Sequence, residues 1–362
     1  MTDTILYTTA LVQRERRNRA LVRGWLYVIC LLVLAMVMVG GATRLTDSGL
    51  SITEWQPIHG IIPPLSHDAW LEEFAKYKLI PEYERINRGM SLTQFQFIYW
   101  WEWAHRFLGR IVGFVFLVPL VVFWWTGRLE ARLKPRLVLL FLLGGLQGAI
   151  GWWMVASGLV DRVDVSQYRL AVHLTLACII FAYALWVARG LAPHAGGDAT
   201  LATRLLAPVV VMLVLLQIFI GGLVAGLDAG LAFNDWPLMD GAAVPSGLLL
   251  LEPAWRNLFE NPKTVQFIHR LTGYGVWLVV LAAWYIASRS RTDVTHVRRA
   301  AIMVVLVSLQ AAIGIATLVM QVPLSWALAH QAGAVVVLGF AVAHWRALAG
   351  PYPPVTAIEV RG

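Results

Sequence analysis

Four histidines occupy matching places in the two halves of this 362-residue chain, each near the start of a long apolar segment. They are His105 and His173 in the first half, and His269 and His330 in the second. Neutral imidazole is the commonest protein ligand for transition metals and a standard axial ligand of heme iron. Two pairs of histidines, one in each half, therefore predict two metal or heme sites.

The number of ligands favours heme over a single metal ion. A mononuclear zinc or copper site uses three or four protein ligands, whereas two histidines from opposed helices suit the two axial positions of heme iron. An isolated histidine on an apolar helix more often packs or forms hydrogen bonds, but four at one depth and at matched positions favour ligation. The histidines without this pattern are His59, His67, His194, His296 and His344.

Glu102 is the acidic residue that best fits a role in catalysis. It stands three residues before His105, so both side chains project from nearly the same face of a helix. The second half has Gln266 at the matched position. A carboxylate in one repeat and an amide in the other indicate that one half does chemistry while the other binds or passes electrons. An acid that simply favours a helix N-terminus is the alternative.

Three arginines close to the candidate ligands carry a second prediction. They are Arg106, Arg110 and Arg270. Each is suited to pair with an anionic heme propionate near the membrane surface. Extension of these side chains to the interface, in contact with lipid phosphate, explains them equally well.

The composition is that of a membrane protein. Hydrophobic residues make up 59% of the chain and charged residues only 14%, with a mean hydropathy of +0.66. Eight apolar runs each have the roughly 20 residues that a helix needs to cross a bilayer. They cover about 21–41, 105–125, 137–157, 169–189, 204–226, 268–287, 298–319 and 325–346. Since lipid offers the backbone no hydrogen bonds, the runs must be helices, and the fold class is an all-α integral membrane protein.

Basic residues predict the orientation. With eight spans both termini lie on one side, which also carries most of the arginines and lysines of the short loops; this side is therefore cytoplasmic. The residues concerned are Arg14, Arg16, Arg17, Arg19, Arg23, Arg128, Arg132, Lys134, Arg136, Arg289, Arg291, Arg298 and Arg299. The four histidines then lie towards the outer side. Because the net charge of +8 is scattered over membrane-flanking loops, it does not indicate nucleic-acid binding.

The chain is an internal duplication. The matching blocks are Gly40–Pro64 with Gly221–Pro245, His105-Arg106 with His269-Arg270, and Leu146–Gly151 with Leu309–Gly314. Each repeat holds four spans, so both enter the membrane in the same direction and are related by a pseudo-twofold axis along the membrane normal. We expect two tandem four-helix bundles, at 21–190 and 204–346, between a cytoplasmic N-terminal segment at 1–20 and a cytoplasmic tail at 347–362.

The outer loop of the first half, about 42–104, is too long for a simple connection. It contains an amphipathic stretch from Ala69 to Leu79 with Ser66 as a candidate N-cap, and it predicts a lid over the first bundle. The two cysteines, Cys30 and Cys178, lie within predicted spans, so we expect no disulfide in the outer loops.

Three segments resemble the heme A synthase family, in the branch found in alphaproteobacteria and mitochondria. They are Gly40-Gly41-Ala42-Thr43-Arg44-Leu45-Thr46-Asp47-Ser48-Gly49-Leu50-Ser51, Glu54-Trp55-Gln56-Pro57 and Trp101-Glu102-Trp103-Ala104-His105-Arg106. The resemblance extends from the first span to the eighth. It implies oxidation of the C8 methyl group of heme o to the formyl group of heme a, through a hydroxymethyl intermediate, to supply cytochrome oxidase.

The resemblance also implies a role for each site residue. Glu102 and His105, with His173 as the partner ligand, would hold the substrate heme at the site of catalysis. His269 and His330 would hold a heme b used for electron transfer. The Bacillus-type branch has cysteine pairs in its outer loops, which this chain lacks, so a step that depends on them cannot operate here.

Partners and alternatives follow from this chemistry. The methyl-to-aldehyde conversion removes electrons in two two-electron stages, so a redox partner is required, either ferredoxin-like or a quinone. The other expected partners are membrane lipid, heme O synthase, assembly factors of cytochrome oxidase and a second copy of the chain, in a bacterial inner membrane with the hemes towards the periplasm. A diheme b-type electron carrier and a heme transporter or chaperone stay open as alternatives.

Overall fold

A computed structural model describes residues 2–56, 59–192 and 197–350, and of residues 2–11 and 59 the backbone alone. Over these ranges the regular structure is helical, and eight helices are long and apolar enough to cross a membrane. The prediction of an all-α membrane protein with eight spans is confirmed. His194 lies outside the described residues.

In chain order the helices are α1 (Thr2–Leu45), α2 (His67–Tyr77), α3 (Pro81–Arg85), α4 (Leu92–Trp125), α5 (Lys134–Val155), α6 (Gln167–Gly190), α7 (Leu201–Gly226), α8 (Ala229–Ala232), α9 (Asn257–Glu260), α10 (Pro262–Arg289), α11 (Val294–Val319) and α12 (Leu324–Leu348). The eight membrane helices are α1, α4, α5, α6, α7, α10, α11 and α12. The four short helices lie in the connections on the outer side of the predicted topology.

Several membrane helices begin before their apolar runs. Helix α4 starts at Leu92 behind a capping box in which Ser91 and Gln94 exchange hydrogen bonds. Helix α10 starts at Pro262, with Asn261 accepting hydrogen bonds from the first turn. His105 and His269 therefore lie inside long helices, and the outer loop is shorter than the predicted 42–104. Hydropathy marks the part of a helix that lies in lipid, whereas the caps determine where the helix begins.

Helix α1 also begins before its apolar run. It runs without a break from Thr2 to Leu45, so residues 2–20 belong to the same helix as the first span.

The helix contacts fit the duplication. In the first half α1 contacts α4 and α6, and α5 contacts α4 and α6; in the second half α7 contacts α10 and α12, and α11 contacts α10 and α12. Between the halves α6 packs on α7 and α12, and α1 packs on α12. These contacts support two four-helix bundles related by the repeat, in which α1 corresponds to α7 and α6 corresponds to α12. The division into bundles stays a prediction.

One apolar core joins the halves. It includes Leu26 of α1, Ala184 of α6, Val214 of α7 and Leu338 of α12, all buried. Cys30 and Cys178 are free thiols buried in the same core, where they pack as small apolar side chains.

The outer loop of the first half folds onto α4. The amphipathic helix α2 begins as predicted, because the side chain of Ser66 accepts a hydrogen bond from the backbone N–H of Ala69. Phe74 of α2 stacks on Phe95 of α4 with ring centroids 4.9 Å apart, and Tyr77 is fully buried beside them. This cluster fixes the loop over the outer end of the first half.

Candidate functional site

Each of the four predicted ligands packs its imidazole ring against a glycine of a neighbouring helix. The pairs are His105 on Gly40, His173 on Gly151, His269 on Gly221 and His330 on Gly314. A methyl group at these glycines would lie 2.9, 3.0, 3.2 and 2.6 Å, respectively, from the nearest ring atom. Any larger residue would push the ring aside, so the glycines are what allows the rings to lie between the helices.

Three of the four histidines are each contacted by a glutamine of a neighbouring helix. The side-chain amides of Gln147, Gln217 and Gln310 donate to the backbone carbonyls of His173, His269 and His330 at 3.0, 2.9 and 2.7 Å. The same amide nitrogens lie 3.2, 3.1 and 3.1 Å from Nδ1 of those imidazoles. Each glutamine therefore holds the backbone of one candidate ligand and lies against its ring.

The histidines of the second half face each other. The ring centroids of His269 and His330 lie 6.5 Å apart, with the ring planes at 79°. Since a metal–imidazole bond is about 2 Å long, one metal atom fits between two rings at this separation. In the first half His105 of α4 and His173 of α6 lie on helices that both contact α1 and α5.

The donor set and its surroundings fit heme iron. Each half supplies two candidate imidazole ligands, and the described ranges hold no cluster of three or more histidine, cysteine, aspartate or glutamate side chains that would suit a metal ion. The buried Oε1 atoms of Gln147 and Gln310 receive no hydrogen bond from any described residue.

Glu102 is buried and fully engaged. Its Oε2 accepts hydrogen bonds from Ser51 Oγ and the backbone N–H of Ile52, both at 2.8 Å. Its Oε1 accepts from Arg106, at 2.6 Å from Nη2 and 3.1 Å from Nε. The carboxylate thus ties the loop after α1 to α4, a function that its position near His105 did not predict.

Gln266 makes the corresponding tie in the second half. Its Nε2 donates to the carbonyls of Ala229 and Phe233, each at 3.0 Å, and its Oε1 accepts from Arg270 at 3.2 Å. The first loop offers donors to α4, whereas the second offers carbonyl acceptors to α10. The exchange of acid for amide therefore has a structural cause besides any difference in chemistry.

The three predicted arginines also bind the outer loops. Arg106 Nη2 donates to the carbonyl of Ile52 at 2.7 Å, and Arg110 Nη2 donates to that of Gln56 at 2.9 Å. Arg270 Nη1 donates to the carbonyls of Asp235 and Leu238, each at 2.9 Å. Propionate binding by these residues stays a prediction.

A cavity of about 430 Å³ opens beside Arg106 and Arg110. Its wall also includes Glu54 and Tyr99. It lies under the outer loop, next to the Glu102 tie, and brings charged side chains close to the candidate site of the first half.

The fold defines a multi-pass helical membrane protein in which two histidines of each half lie against glycines of neighbouring helices. The model of the cytochrome oxidase assembly protein family matches residues 23–342, and the chain belongs to this family.

Curated relatives match nearly the full chain. It is 64% identical over 345 residues to the heme A synthase of Chelativorans sp. (strain BNC1), with 95% of each chain covered. It is 62% identical over 350 residues to the heme A synthase of Mesorhizobium japonicum, with 96% of each covered. It is 57% identical over 351 residues to that of Sinorhizobium medicae, with 97% of this chain and 96% of the relative covered. The resemblance stated from the motifs is confirmed.

Sequence reasoning missed the glutamines and the role of the glycines. The signal was present, because each glutamine stands four residues before the glycine that receives the ring, as in Gln147 and Gly151. These residues lie one turn apart on one helix face, and the spacing recurs in α5, α7 and α11. The repeat shows that these blocks correspond, but it does not indicate what the glutamines and glycines contact.

Proposed function

We propose that the chain oxidises the C8 methyl group of heme o to the formyl group of heme a, through the hydroxymethyl form, for the assembly of cytochrome oxidase. The observation that carries this proposal is the pair of histidine sites in a chain that matches heme A synthases over nearly its whole length. A membrane location suits both substrate and product, since each is a hydrophobic heme.

We assign the two sites to different hemes. His105 and His173 would hold the substrate heme, and His269 and His330 a resident heme b. Bound heme iron supplies the redox chemistry. The protein's part is to orient each heme through two imidazoles, which the glycine contacts place and the glutamines hold in three of the four positions.

Glu102 is the proposed catalytic residue of the first half. A carboxylate there would stabilise positive charge that develops at the oxidised carbon, or accept a proton from water. Its hydrogen bonds from Ser51, Ile52 and Arg106 hold the charge in one place, which is the preorganisation that electrostatic catalysis requires.

The arginines have a positioning role in this proposal. Arg106 and Arg270 hold the loops over the two sites, and Arg110 lies at the cavity beside the first one. In this proposal the three arginines would also pair with heme propionates.

We propose that both termini are cytoplasmic and that the two sites lie towards the periplasmic side of the bacterial inner membrane. The basic loops support this orientation. A ferredoxin-like or quinone partner would exchange the electrons, and heme O synthase would supply the substrate. Reporter fusions at the two termini and in the loop at 67–90 test the orientation, because only the loop fusion should report a periplasmic position.

The proposed activity is tested by expressing the chain in cells that make heme o but lack their own heme A synthase. Extracted pigments, analysed by absorbance and mass, should include heme a or hydroxylated heme o. Heme b alone would instead favour the electron carrier, and unchanged heme o in the purified protein would favour the transporter.

A further inference from the structure

Four helices each have a glycine that contacts a histidine ring. In three of them a glutamine stands four residues before that glycine, and α1 is the exception. Helices α5, α7 and α11 contain the sequences QGAIG, QIFIG and QAAIG, which end at Gly151, Gly221 and Gly314. Helix α1 contains MVMVG, in which Met36 precedes Gly40, the glycine that receives His105. One candidate ligand therefore has a methionine where the other three have glutamine.

Met36 occupies the same place as a glutamine of the second half. Its Cε lies 3.5 Å from where a methyl group on Gly109 would be, one turn after His105. The amide nitrogen of Gln217 lies 3.3 Å from the corresponding point at Gly273, one turn after His269. The two side chains thus fill equivalent corners, and only their chemistry differs.

A thioether cannot do what the amide does. It offers no donor and is only a weak acceptor, so it cannot donate to the carbonyl of His105. Gln217, in contrast, donates to the carbonyl of His269 at 2.9 Å, and its own Oε1 accepts from Thr272, so it fixes the residue that carries the ring.

The ring of His105 differs accordingly. It lies against Gly40 and receives no hydrogen bond from the residues that the structure describes. Packing alone sets its orientation.

We propose that Met36 makes His105 the exchangeable ligand of the first site, while Gln217 and its two counterparts keep the other three histidines in place. The inference rests on the proposed function, in which heme o must enter the first site and heme a must leave it, whereas heme b stays. Loss of a hydrogen-bond partner behind a metal ligand typically lowers metal affinity about 10–100-fold. Met36 is thus a positioning residue that acts through His105.

Carbon monoxide tests this directly, because it binds reduced heme iron only where an axial ligand gives way. The experiment uses the full chain, purified with its hemes from cells that make heme o, and reads the carbon monoxide difference spectrum. The first-site heme of the unmodified protein should bind carbon monoxide and heme b should not. Met36→Gln should lower the apparent affinity at the first site about tenfold or more, and Gln217→Met should make heme b reactive.

Met36→Leu is the matched control, since it keeps an apolar side chain of similar size and should bind carbon monoxide like the unmodified protein. Equal affinities in Met36→Gln and Met36→Leu, or a heme b that stays unreactive in Gln217→Met, would overturn the inference. If Met36→Gln loses its heme, the reactivity of heme b with carbon monoxide in Gln217→Met decides whether the inference holds.

The proposed function fails in a different way. If His105→Ala and His173→Ala leave the heme content and spectrum unchanged, these histidines hold no heme, and the assignment of the first site is lost together with the inference. Loss of first-site heme in both variants, with no response to substitution of Met36, overturns the inference alone.

Discussion

The carboxylate of Glu102 connects a helix to a loop through hydrogen bonds and is also a candidate catalytic group. It links α4 to the loop at Ser51 and Ile52 while standing three residues from His105. Gln266 shows that an amide suffices for a tie of this kind when the loop offers acceptors. At Glu102 the loop offers donors instead, so glutamine keeps one accepting oxygen and loses the charge, whereas alanine loses both.

We expect Glu102→Gln to keep heme b but to abolish formation of heme a, because the negative charge is gone. The amide oxygen can still accept hydrogen bonds from the loop, but the NH2 group then faces the donors of Arg106, so Glu102→Gln should destabilise the protein, though less than Glu102→Ala. Glu102→Ala should lose the activity and also destabilise the protein by about 3 kcal/mol, because Arg106 and the loop donors lose their buried acceptor. Heme extraction and thermal unfolding measure the two effects. Full heme a formation in Glu102→Gln would remove the catalytic role.

At Gly314 a single methyl group should displace a ligand. A Cβ there would lie 2.6 Å from Cε1 of His330, so we expect Gly314→Ala to lose most of the heme b absorbance. Gly275→Ala is the control on α10, where a methyl group meets nothing within 4 Å and alanine favours the helix by about 1 kcal/mol. A normal heme b spectrum in Gly314→Ala would show that the ring does not need this glycine.

The sequence predicts the four candidate histidine ligands, but it does not predict the glycines and glutamines that contact them. Histidine is rare in apolar spans, so four at matched positions stand out in the sequence. The glycines and glutamines behind them are ordinary residues of membrane helices, and only the packing of α1 on α4, or of α5 on α6, shows that they meet the rings.

The duplication is also visible in the backbone conformation of the outer loops. Asp47 and Asp228 stand at matched positions, and both adopt left-handed conformations, with φ of 49° and 48°. Arg44 forms ion pairs with both, at 2.9 and 2.7 Å. The second pair ties the end of α1 to the turn after α7 and so joins the two halves at their outer side.

The loop between α1 and α4 should be sensitive to pH through Glu82. Burial in α3 raises the pKa of this carboxyl from the usual 4.5 to about 8, against a hydrogen bond from Tyr77 that lowers it and the nearby acids Glu102, Asp164 and Asp47 that raise it. The folded loop therefore binds a proton that the unfolded loop releases between these values. Its stability should be greatest near pH 4.5 and should decline as the pH rises to about 8.

Hydrogen exchange over residues 67–90, corrected for the intrinsic rate, measures this stability at pH 5 and pH 8. Glu82→Gln should remove the difference between the two conditions, because the amide does not titrate. A decline of the same size in Glu82→Gln would assign the effect to another group.

Over the whole molecule, the sequence predicts the number of spans but not their full lengths. Apolar runs mark the lipid-embedded part, whereas Ser91 and Asn261 start α4 and α10 well before it. The repeat predicts which helices correspond, and the contacts of α6 with α7 and of α1 with α12 fit that correspondence. The Glu102 tie was not predictable, since it depends on the path of the loop after α1.

The central claim is that the two halves hold different hemes. It is tested by the heme composition of His105→Ala and His269→Ala, purified from cells that make heme o. We expect His105→Ala to keep heme b and to lose heme o and heme a, and His269→Ala to lose heme b and retain heme o without oxidising it. The same loss in both variants, or heme b that survives in His269→Ala, would contradict the division of the chain into a substrate site and an electron-transfer site.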